Sequence, residues 1–261
     1  MQALLRPFGT LHCQVDGPAT AATVVFANSL GTDLRLWEPI LPLLPKNWRI
    51  VRYDKRGHGL SDGGAGEDIH DHVDDAIAVI EHFSDRPVAF VGLSIGGLIA
   101  QGVASRRPDL VHTLVLSNTA ARLGTSEGWQ ARIGAVKTSG VAGIADDIMR
   151  RWFAPAFLDG SSLPLWRNMM ARTPADGYAA ACRALSGADY SAETASLRLP
   201  TLVIGGEFDG ATPPEAVKAT ADVIRGAAFR LIPGVGHLPP VEAPEAFANL
   251  LIQFLQDHLH D

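Results

Sequence analysis

A serine flanked by glycines lies between an apolar run and an apolar helical pattern. The pentapeptide GLSIG at residues 92–96 follows the run at 88–91 and precedes the helical stretch at 97–104. In such a strand–turn–helix arrangement the serine backbone is strained, and only glycines two residues away on each side let the strand and the helix approach. The helix N-terminus also favours negative charge near the exposed hydroxyl. The sequence therefore predicts Ser94 as a nucleophile.

Short apolar runs alternate with helical patterns along the rest of the chain, which predicts an α/β fold with a mostly parallel, doubly wound sheet. Residues 4–15 predict an early antiparallel pair, and residues 246–255 have the spacing of a final amphipathic helix. The other predicted strands read as near-continuous apolar runs, typical of strands buried on both faces. They occupy residues 23–27, 50–53, 88–91, 113–116, 201–204 and 228–231.

Between residues 121 and 190 the strand runs disappear and helical spacings replace them. This segment carries eight basic and six acidic residues, although the whole chain has a net charge of −6. A helical stretch inserted between two strands is typical of a lid over one edge of a sheet. We therefore predict a core formed by residues 1–120 and 191–261, with a helical lid at residues 121–190.

Composition and charge argue against several classes of protein. A net charge of −6 with no cluster of lysines and arginines repels nucleic acid. The uncharged, mainly apolar stretch at residues 88–104 is shorter than the roughly 20 residues that cross a bilayer, so no membrane span is expected. Cys13 and Cys182 form no disulfide framework, and no metal-binding or nucleotide-binding spacing occurs. We expect a cytoplasmic protein without a metal or other cofactor.

A nucleophilic serine needs a base and an acid that orients the base, and candidates for both follow later strands. In doubly wound hydrolases the order is serine, then acid, then histidine, each just after a strand. Asp209 follows the run at 201–204, and His237 follows the run at 228–231. We therefore predict Asp209 as the orienting acid and His237 as the base.

Other residues could serve as the acid or the base. Glu207 shares the loop of Asp209 and is the alternative acid. His58 follows the run at 50–53 and is the alternative base, although the glycines around it favour a structural turn. The remaining histidines of interest lie in acidic or polar surroundings, where a solvated position is expected. They are His70, His72, His82, His258 and His260.

Acyl transfer also needs two backbone N–H groups to bind the developing oxyanion. One comes from Ile95, the residue after the nucleophile. The other is expected from the loop at residues 28–33, after the first parallel strand, where Leu30 is the best candidate. A single donor of this kind is typically worth ~3–4 kcal/mol of transition-state stabilisation.

With these residues placed, the chain resembles an α/β-hydrolase along nearly its whole length. Several segments are more narrowly similar to the 3-oxoadipate enol-lactonases of bacterial aromatic catabolism. The catalytic motifs are shared by the wider superfamily, so the narrower resemblance rests on the first loop and on residues 118–129. The similar segments are NSLGTDLRLW at 28–37, YDKRGHGLS at 53–61, GLSIGG at 92–97, NTAAR at 118–122 and DGATPP at 209–214.

The resemblance implies a substrate and a set of contacts. The substrate would be a small anionic lactone, a five-membered enol-lactone with a carboxymethyl group, opened to 3-oxoadipate through an acyl-enzyme. The positive lid would bind its carboxylate, with Arg122 favoured and Arg132 second. Trp129 and Trp152 would wall the pocket.

Other functions fit the same nucleophile, acid and base. A carboxylesterase, a C–C bond hydrolase and a cofactor-free haloperoxidase would keep all three residues and differ in substrate. A receptor with this fold would tolerate the loss of catalytic parts, and this chain retains all of them.

Overall fold

The computed structural model describes residues 1–63 and 68–259. Within these residues one sheet contains eight strands: β1 Gln2–Arg6, β2 Gly9–Asp16, β3 Thr23–Ala27, β4 Arg49–Tyr53, β5 Val88–Leu93, β6 Val111–Ser117, β7 Thr201–Gly206 and β8 Ala228–Ile232. Their order across the sheet is β1-β2-β4-β3-β5-β6-β7-β8. The β1–β2 and β2–β4 pairs are antiparallel, and every pair from β4 to β8 is parallel. The predicted α/β architecture is confirmed.

Helices connect the parallel strands, and α2 packs on β5 as α8 packs on β7. None of the described helices is both long enough and apolar enough to cross a bilayer. The helices are α1 Ile69–Phe83, α2 Ile95–Arg106, α3 Ser126–Trp152, α4 Pro155–Leu158, α5 Leu163–Ala171, α6 Ala175–Gly187, α7 Ser191–Ser196, α8 Pro214–Val223, α9 Pro239–Glu242 and α10 Pro244–Gln256.

The centre of the sheet is buried on both faces, as the apolar runs predict. Every residue of β3 and of β5 is buried. The strand β8 differs, and the prediction of two buried faces was wrong there: its middle residues are exposed, and Leu231 retains 45% of its accessible surface. These residues are exposed because β8 is an edge strand of the described sheet, in which it pairs with β7 alone.

The histidines expected in solvent do not all lie there. His70 and His82 are exposed on α1, but His72 is 2% exposed, so its predicted solvated position was wrong. His72 lies on the side of α1 that is buried in the protein, since α1 packs against α2. His258 is half-buried, and His260 lies outside the described residues.

The helices α3 to α7 lie between β6 and β7, and we call them the helical insertion. The longest, α3, is broken at Gly140, whose φ of 67° is not helical. The helix α6 approaches the core so closely that a Cβ atom on Gly177 would lie 2.2 Å from the Gly57 carbonyl oxygen. The insertion therefore rests against the loop that follows β4. The division at residues 120 and 190 stays a prediction, and α7 begins just beyond it.

Candidate active site

Ser94 occupies the turn between β5 and α2, with φ 57° and ψ −119°. The flanking glycines are required by contact: a Cβ on Gly92 would lie 2.3 Å from the Gly96 carbonyl oxygen, and a Cβ on Gly96 would lie 2.1 Å from that of Ala27. Thr119 Oγ1 donates a hydrogen bond of 2.7 Å to the Ser94 carbonyl and so helps to hold the strained turn. The strand–turn–helix geometry inferred from the pentapeptide is present.

Asp209 and His237 meet at the carboxyl ends of β7 and β8. Asp209 Oδ2 lies 2.8 Å from His237 Nδ1, and both side chains are buried. The other carboxylate oxygen accepts backbone hydrogen bonds of 2.8 Å from Ala211 and Thr212. Glu207 is exposed and accepts a hydrogen bond from the Gly234 N–H instead. Of the two candidate acids, only Asp209 is in contact with His237.

His58, the competing base, is fully buried in the loop after β4. Its Nδ1 lies 3.2 Å from the Arg56 carbonyl oxygen, and burial lowers its pKa well below the ordinary value. It does not line the cavity that contains Ser94 and His237. The geometry fits the structural turn expected from the glycines around it.

Ser94 and His237 line the same cavity, but within the described residues the Ser94 hydroxyl makes no hydrogen bond to the imidazole. His237 Nε2 instead lies 3.5 Å from the hydroxyl of Ser29. Catalytic hydrogen bonds are often long before substrate binds and tighten only in the complex. The contact with Ser29 was not predicted, because only backbone N–H groups were expected to act from the loop at residues 28–33.

The two predicted oxyanion donors flank this cavity. Leu30 lines it, and Ile95 is the first residue of α2. Within residues 1–63 and 68–259, neither backbone N–H group has a hydrogen-bond partner. Gly31 has φ 74°, and the Thr32 N–H donates to the Ser29 carbonyl oxygen at 3.3 Å, which fits a type II turn with glycine in its third position. Both N–H groups are thus free to bind a ligand.

Asn118, at the end of β6, connects the acid and the base. Its Nδ2 donates hydrogen bonds of 2.9 Å to Asp209 Oδ2 and 3.1 Å to the Gly236 carbonyl oxygen. Its φ is 50°, a left-handed conformation in which asparagine is enriched. In the sequence, Asn118 counted only toward the family resemblance. Its position just after a strand, which it shares with Ser94 and Asp209, was the signal that it belongs to the site.

Glu242 connects the loop of the base to the insertion. Its Oε1 accepts a hydrogen bond of 2.9 Å from the Gly236 N–H, and its Oε2 accepts one of 2.8 Å from the Ala154 N–H. Burial raises the pKa of Glu242 to about 7, against the opposing effect of these hydrogen bonds. The His237 N–H also donates to the Trp152 carbonyl oxygen at 2.5 Å. No sequence pattern pointed to this link.

The insertion closes a cavity of about 120 Å³ over these groups. Trp152 stacks near the His237 ring, with centroids 6.3 Å apart and planes 24° from parallel. The guanidinium of Arg132 lies 5.2 Å from the centre of the Trp129 ring. The structure therefore brings Arg132, Trp129 and Trp152 to the cavity. The lining residues that the insertion contributes are Gly128, Trp129, Arg132, Arg151, Trp152 and Tyr178.

A second arginine in the cavity, Arg151, was missed by the sequence analysis. Burial, and then the like charge of Arg132, lower the pKa of Arg151. Its Nε donates to the Gly210 carbonyl oxygen at 3.1 Å, which anchors the side chain. Two guanidinium groups that repel each other in one cavity form a site suited to an anion.

Arg122, the favoured carboxylate ligand, is not brought to the cavity. Its side chain is 54% exposed and lies 3.7 Å from Asp189. It does not line the cavity, although its chain neighbour Leu123 does. The expectation for Arg122 is therefore corrected: its side chain extends to the surface, where Asp189 offers an opposite charge.

The chain is similar to a known protein family, to individual relatives and to solved structures. The family described as alpha/beta hydrolase fold matches residues 22–244. Two 3-oxoadipate enol-lactonases of Acinetobacter baylyi are 34% and 32% identical, covering 95% and 88% of this chain and 93% and 87% of their own. The crystal structure of the enol-lactonase from Burkholderia xenovorans LB400 superposes with a TM-score of 0.91 at 34% identity, over 95% of this chain and 96% of that one.

These matches agree with the geometry of the cavity and extend over almost the whole chain. The chain therefore belongs to the α/β-hydrolase family and is similar to its 3-oxoadipate enol-lactonases.

Proposed function

We propose that the protein opens 3-oxoadipate enol-lactone to 3-oxoadipate, through an acyl-enzyme, in the protocatechuate and catechol branches of bacterial aromatic catabolism (the β-ketoadipate pathway). The observation that carries the proposal is a single small cavity in which Ser94 and His237 lie beside two arginines. Relatives named as enol-lactonases support it. The arrangement suits an ester-type substrate with a negative charge near its reacting carbonyl.

In the first step His237, oriented by Asp209, takes the proton of the Ser94 hydroxyl. The serine oxygen attacks the lactone carbonyl carbon, and the N–H groups of Leu30 and Ile95 bind the resulting oxyanion. Collapse of this intermediate breaks the ring C–O bond. The proton on His237 passes to the departing enol oxygen, and the acyl group stays on Ser94.

In the second step water attacks the acyl-enzyme. His237 takes a proton from the water and returns it to the Ser94 oxygen as the ester bond breaks. The carboxylate product leaves, and its enol converts to the more stable ketone. No step requires a metal or a redox cofactor.

In this proposal, Arg132 and Arg151 bind the carboxymethyl group of the substrate. A carboxylate between the two guanidinium groups would relieve the repulsion that already lowers the pKa of Arg151. Trp129 and Trp152 complete the wall beside the ring. Binding is thus strongest for a lactone whose carboxylate reaches the two arginines while its reacting carbonyl lies beside Ser94.

The direct test is the ultraviolet absorbance of the enol-lactone in the presence of the purified protein. We expect rapid loss of absorbance with wild-type protein and none above background with Ser94→Ala. A panel of short acyl esters, a C–C substrate and a peroxide-dependent halogenation assay measures the rival functions. Turnover of simple esters far faster than that of the lactone would contradict the proposed substrate but leave the hydrolase assignment intact.

Two further features stay predictions from the sequence. The cytoplasmic location rests on the two cysteines, both of which are free and buried. The lack of a nucleic-acid partner rests on the net charge of −6.

A further inference from the structure

Lys55 lies buried directly behind the loop that carries Leu30. Its Nζ donates a hydrogen bond of 2.6 Å to the Ser29 carbonyl oxygen and one of 3.1 Å to that of Thr32. The residue is 2% exposed and does not line the cavity. Burying an amine or ammonium group is costly unless it is hydrogen-bonded or paired, and Lys55 finds its hydrogen-bond acceptors in the loop at residues 28–33. No step of the proposed reaction uses Lys55.

The shorter hydrogen bond, to the Ser29 carbonyl oxygen, connects Lys55 to the peptide that carries the Leu30 N–H. The Ser29 carbonyl and the Leu30 N–H belong to one peptide unit, and that unit is trans. A trans peptide is planar, with its C=O and N–H bonds pointing in opposite directions. A donor that fixes the carbonyl oxygen on the buried side therefore fixes the direction of the Leu30 N–H on the cavity side.

Three donors meet at this one oxygen. Besides Lys55 Nζ, the Ser29 carbonyl accepts from the Thr32 N–H at 3.3 Å and from Thr32 Oγ1 at 2.8 Å. Hydrogen bonds to a peptide oxygen polarise the peptide and strengthen its N–H as a donor, and a charged donor does so most. The peptide is thus both held and polarised before any substrate enters.

Burial lowers the pKa of Lys55 to about 7, although the carboxylates of Asp54 and Asp33 favour its charged form. A neutral amine would still donate both hydrogen bonds. The orientation of the peptide is therefore kept in either protonation state of the side chain.

We propose that Lys55 is a positioning residue for the oxyanion site: through the Ser29 carbonyl it aims and polarises the Leu30 N–H. The inference rests on the proposed function only in taking Leu30 as an oxyanion donor. It does not depend on which ester or lactone is the natural substrate.

The test compares Lys55→Met with wild type on p-nitrophenyl acetate, a generic ester. Loss of a complete oxyanion donor costs roughly 10²- to 10³-fold in kcat, so weakening one is expected to cost roughly 10- to 100-fold, with KM nearly unchanged. Binding of phenylboronic acid, which forms a tetrahedral adduct on a nucleophilic serine, should weaken by a similar factor. The matched control is Arg52→Met, which removes an equally buried cation whose hydrogen bonds go to Asp16 and to the Leu34 carbonyl oxygen, outside the loop at residues 28–33.

A Lys55→Met variant with wild-type kcat, or one that loses activity through KM alone, would overturn the proposal. So would an equal loss of kcat in Arg52→Met, since that would indicate a general effect of removing a buried charge. Failure of wild type to open the enol-lactone, while it still hydrolyses p-nitrophenyl acetate, would refute the proposed substrate and leave this comparison valid.

If Lys55→Met does not fold, Thr32→Val tests the same carbonyl with a milder change. It removes one neutral donor of 2.8 Å and keeps the volume of the side chain. We expect a loss of roughly 3-fold in kcat with unchanged KM, in keeping with the smaller contribution of a neutral hydrogen bond. No loss of kcat in this variant would overturn the proposal.

Discussion

The carboxyl edge of the sheet and the helical insertion contribute to the cavity in different ways. The sheet edge supplies Ser94, Asp209 and His237 from three separate strand ends, each held by backbone geometry. The insertion supplies cations and aromatic rings on long side chains. In the proposed mechanism, the groups that make and break bonds are therefore placed by the backbone, whereas the groups that select the substrate are placed by side-chain packing. Mutations in the two regions should therefore have different effects on activity.

The largest effect is expected in the sheet edge. Ser94→Ala removes the nucleophile, so kcat should fall by roughly 10⁴-fold or more for every substrate, charged or neutral. Steady-state rates with the enol-lactone and with p-nitrophenyl acetate measure this, and unchanged circular dichroism controls for folding. A loss of kcat on only one of the two substrates would contradict the separate roles of the sheet edge and the insertion.

The next effect belongs to the insertion and should depend on substrate charge. Arg132→Ala or Arg151→Ala should each lower kcat/KM for the anionic lactone by roughly 100-fold, the typical cost of removing one partner of a charged hydrogen-bonded pair. Rates with p-nitrophenyl acetate should change little. Arg122→Ala is the matched control on the same segment, and its exposed position predicts wild-type rates with both substrates. A large loss in Arg122→Ala would restore that residue as the carboxylate ligand.

A smaller effect on kcat is expected for Asn118, which lies at the sheet edge and holds Asp209 and the loop of His237. Asn118→Gly removes the hydrogen bonds to Asp209 and to the Gly236 carbonyl, and glycine accepts the positive φ at this position. Loss of a hydrogen bond to a charged group predicts a decrease of roughly 10- to 100-fold in kcat, alike for charged and neutral substrates. A decrease confined to the anionic lactone would contradict a role in orienting the acid and base.

Glu242 joins the two regions, and its effect is on stability. Its folded pKa of about 7 lies above its ordinary value of 4.5, so the folded state binds its proton more tightly. The free energy of unfolding should therefore fall as pH rises from about 4.5 through 7, by on the order of 3 kcal/mol from this group. Glu242→Gln does not titrate, so urea unfolding at pH 5 and pH 8 should show the variant gaining stability relative to wild type at the higher pH. An equal difference at both pH values would contradict the raised pKa.

The sequence predicted the sheet edge well for a physical reason. The positions of the strands along the chain, and of the loops after them, follow from local apolar runs and glycines, so Ser94, Asp209 and His237 could be predicted without knowing any contact. Leu30 and Ile95 followed from the same rule, since their N–H groups belong to the loops themselves. The exposed β8 was missed because an apolar run does not reveal whether its strand lies at an edge.

The insertion was predicted as helical but not in its contacts. Arg122 and Arg151 look alike in the sequence, and only packing brings one to the cavity and turns the other toward Asp189. Lys55, Asn118 and Glu242 act through partners far along the chain. Links of that kind leave no spacing pattern, so the structure was needed to find them.

In the proposed function, one cavity joins serine chemistry from the sheet edge to an anion site from the insertion. Its most direct test is the ratio of kcat/KM for the enol-lactone to that for its methyl ester, in which the carboxymethyl group is neutral. Wild type should strongly prefer the anion, and a variant with both Arg132→Ala and Arg151→Ala should lose that preference while opening the neutral lactone at the wild-type rate. Retention of the preference in the double variant, or equal loss on both substrates, would contradict the claim.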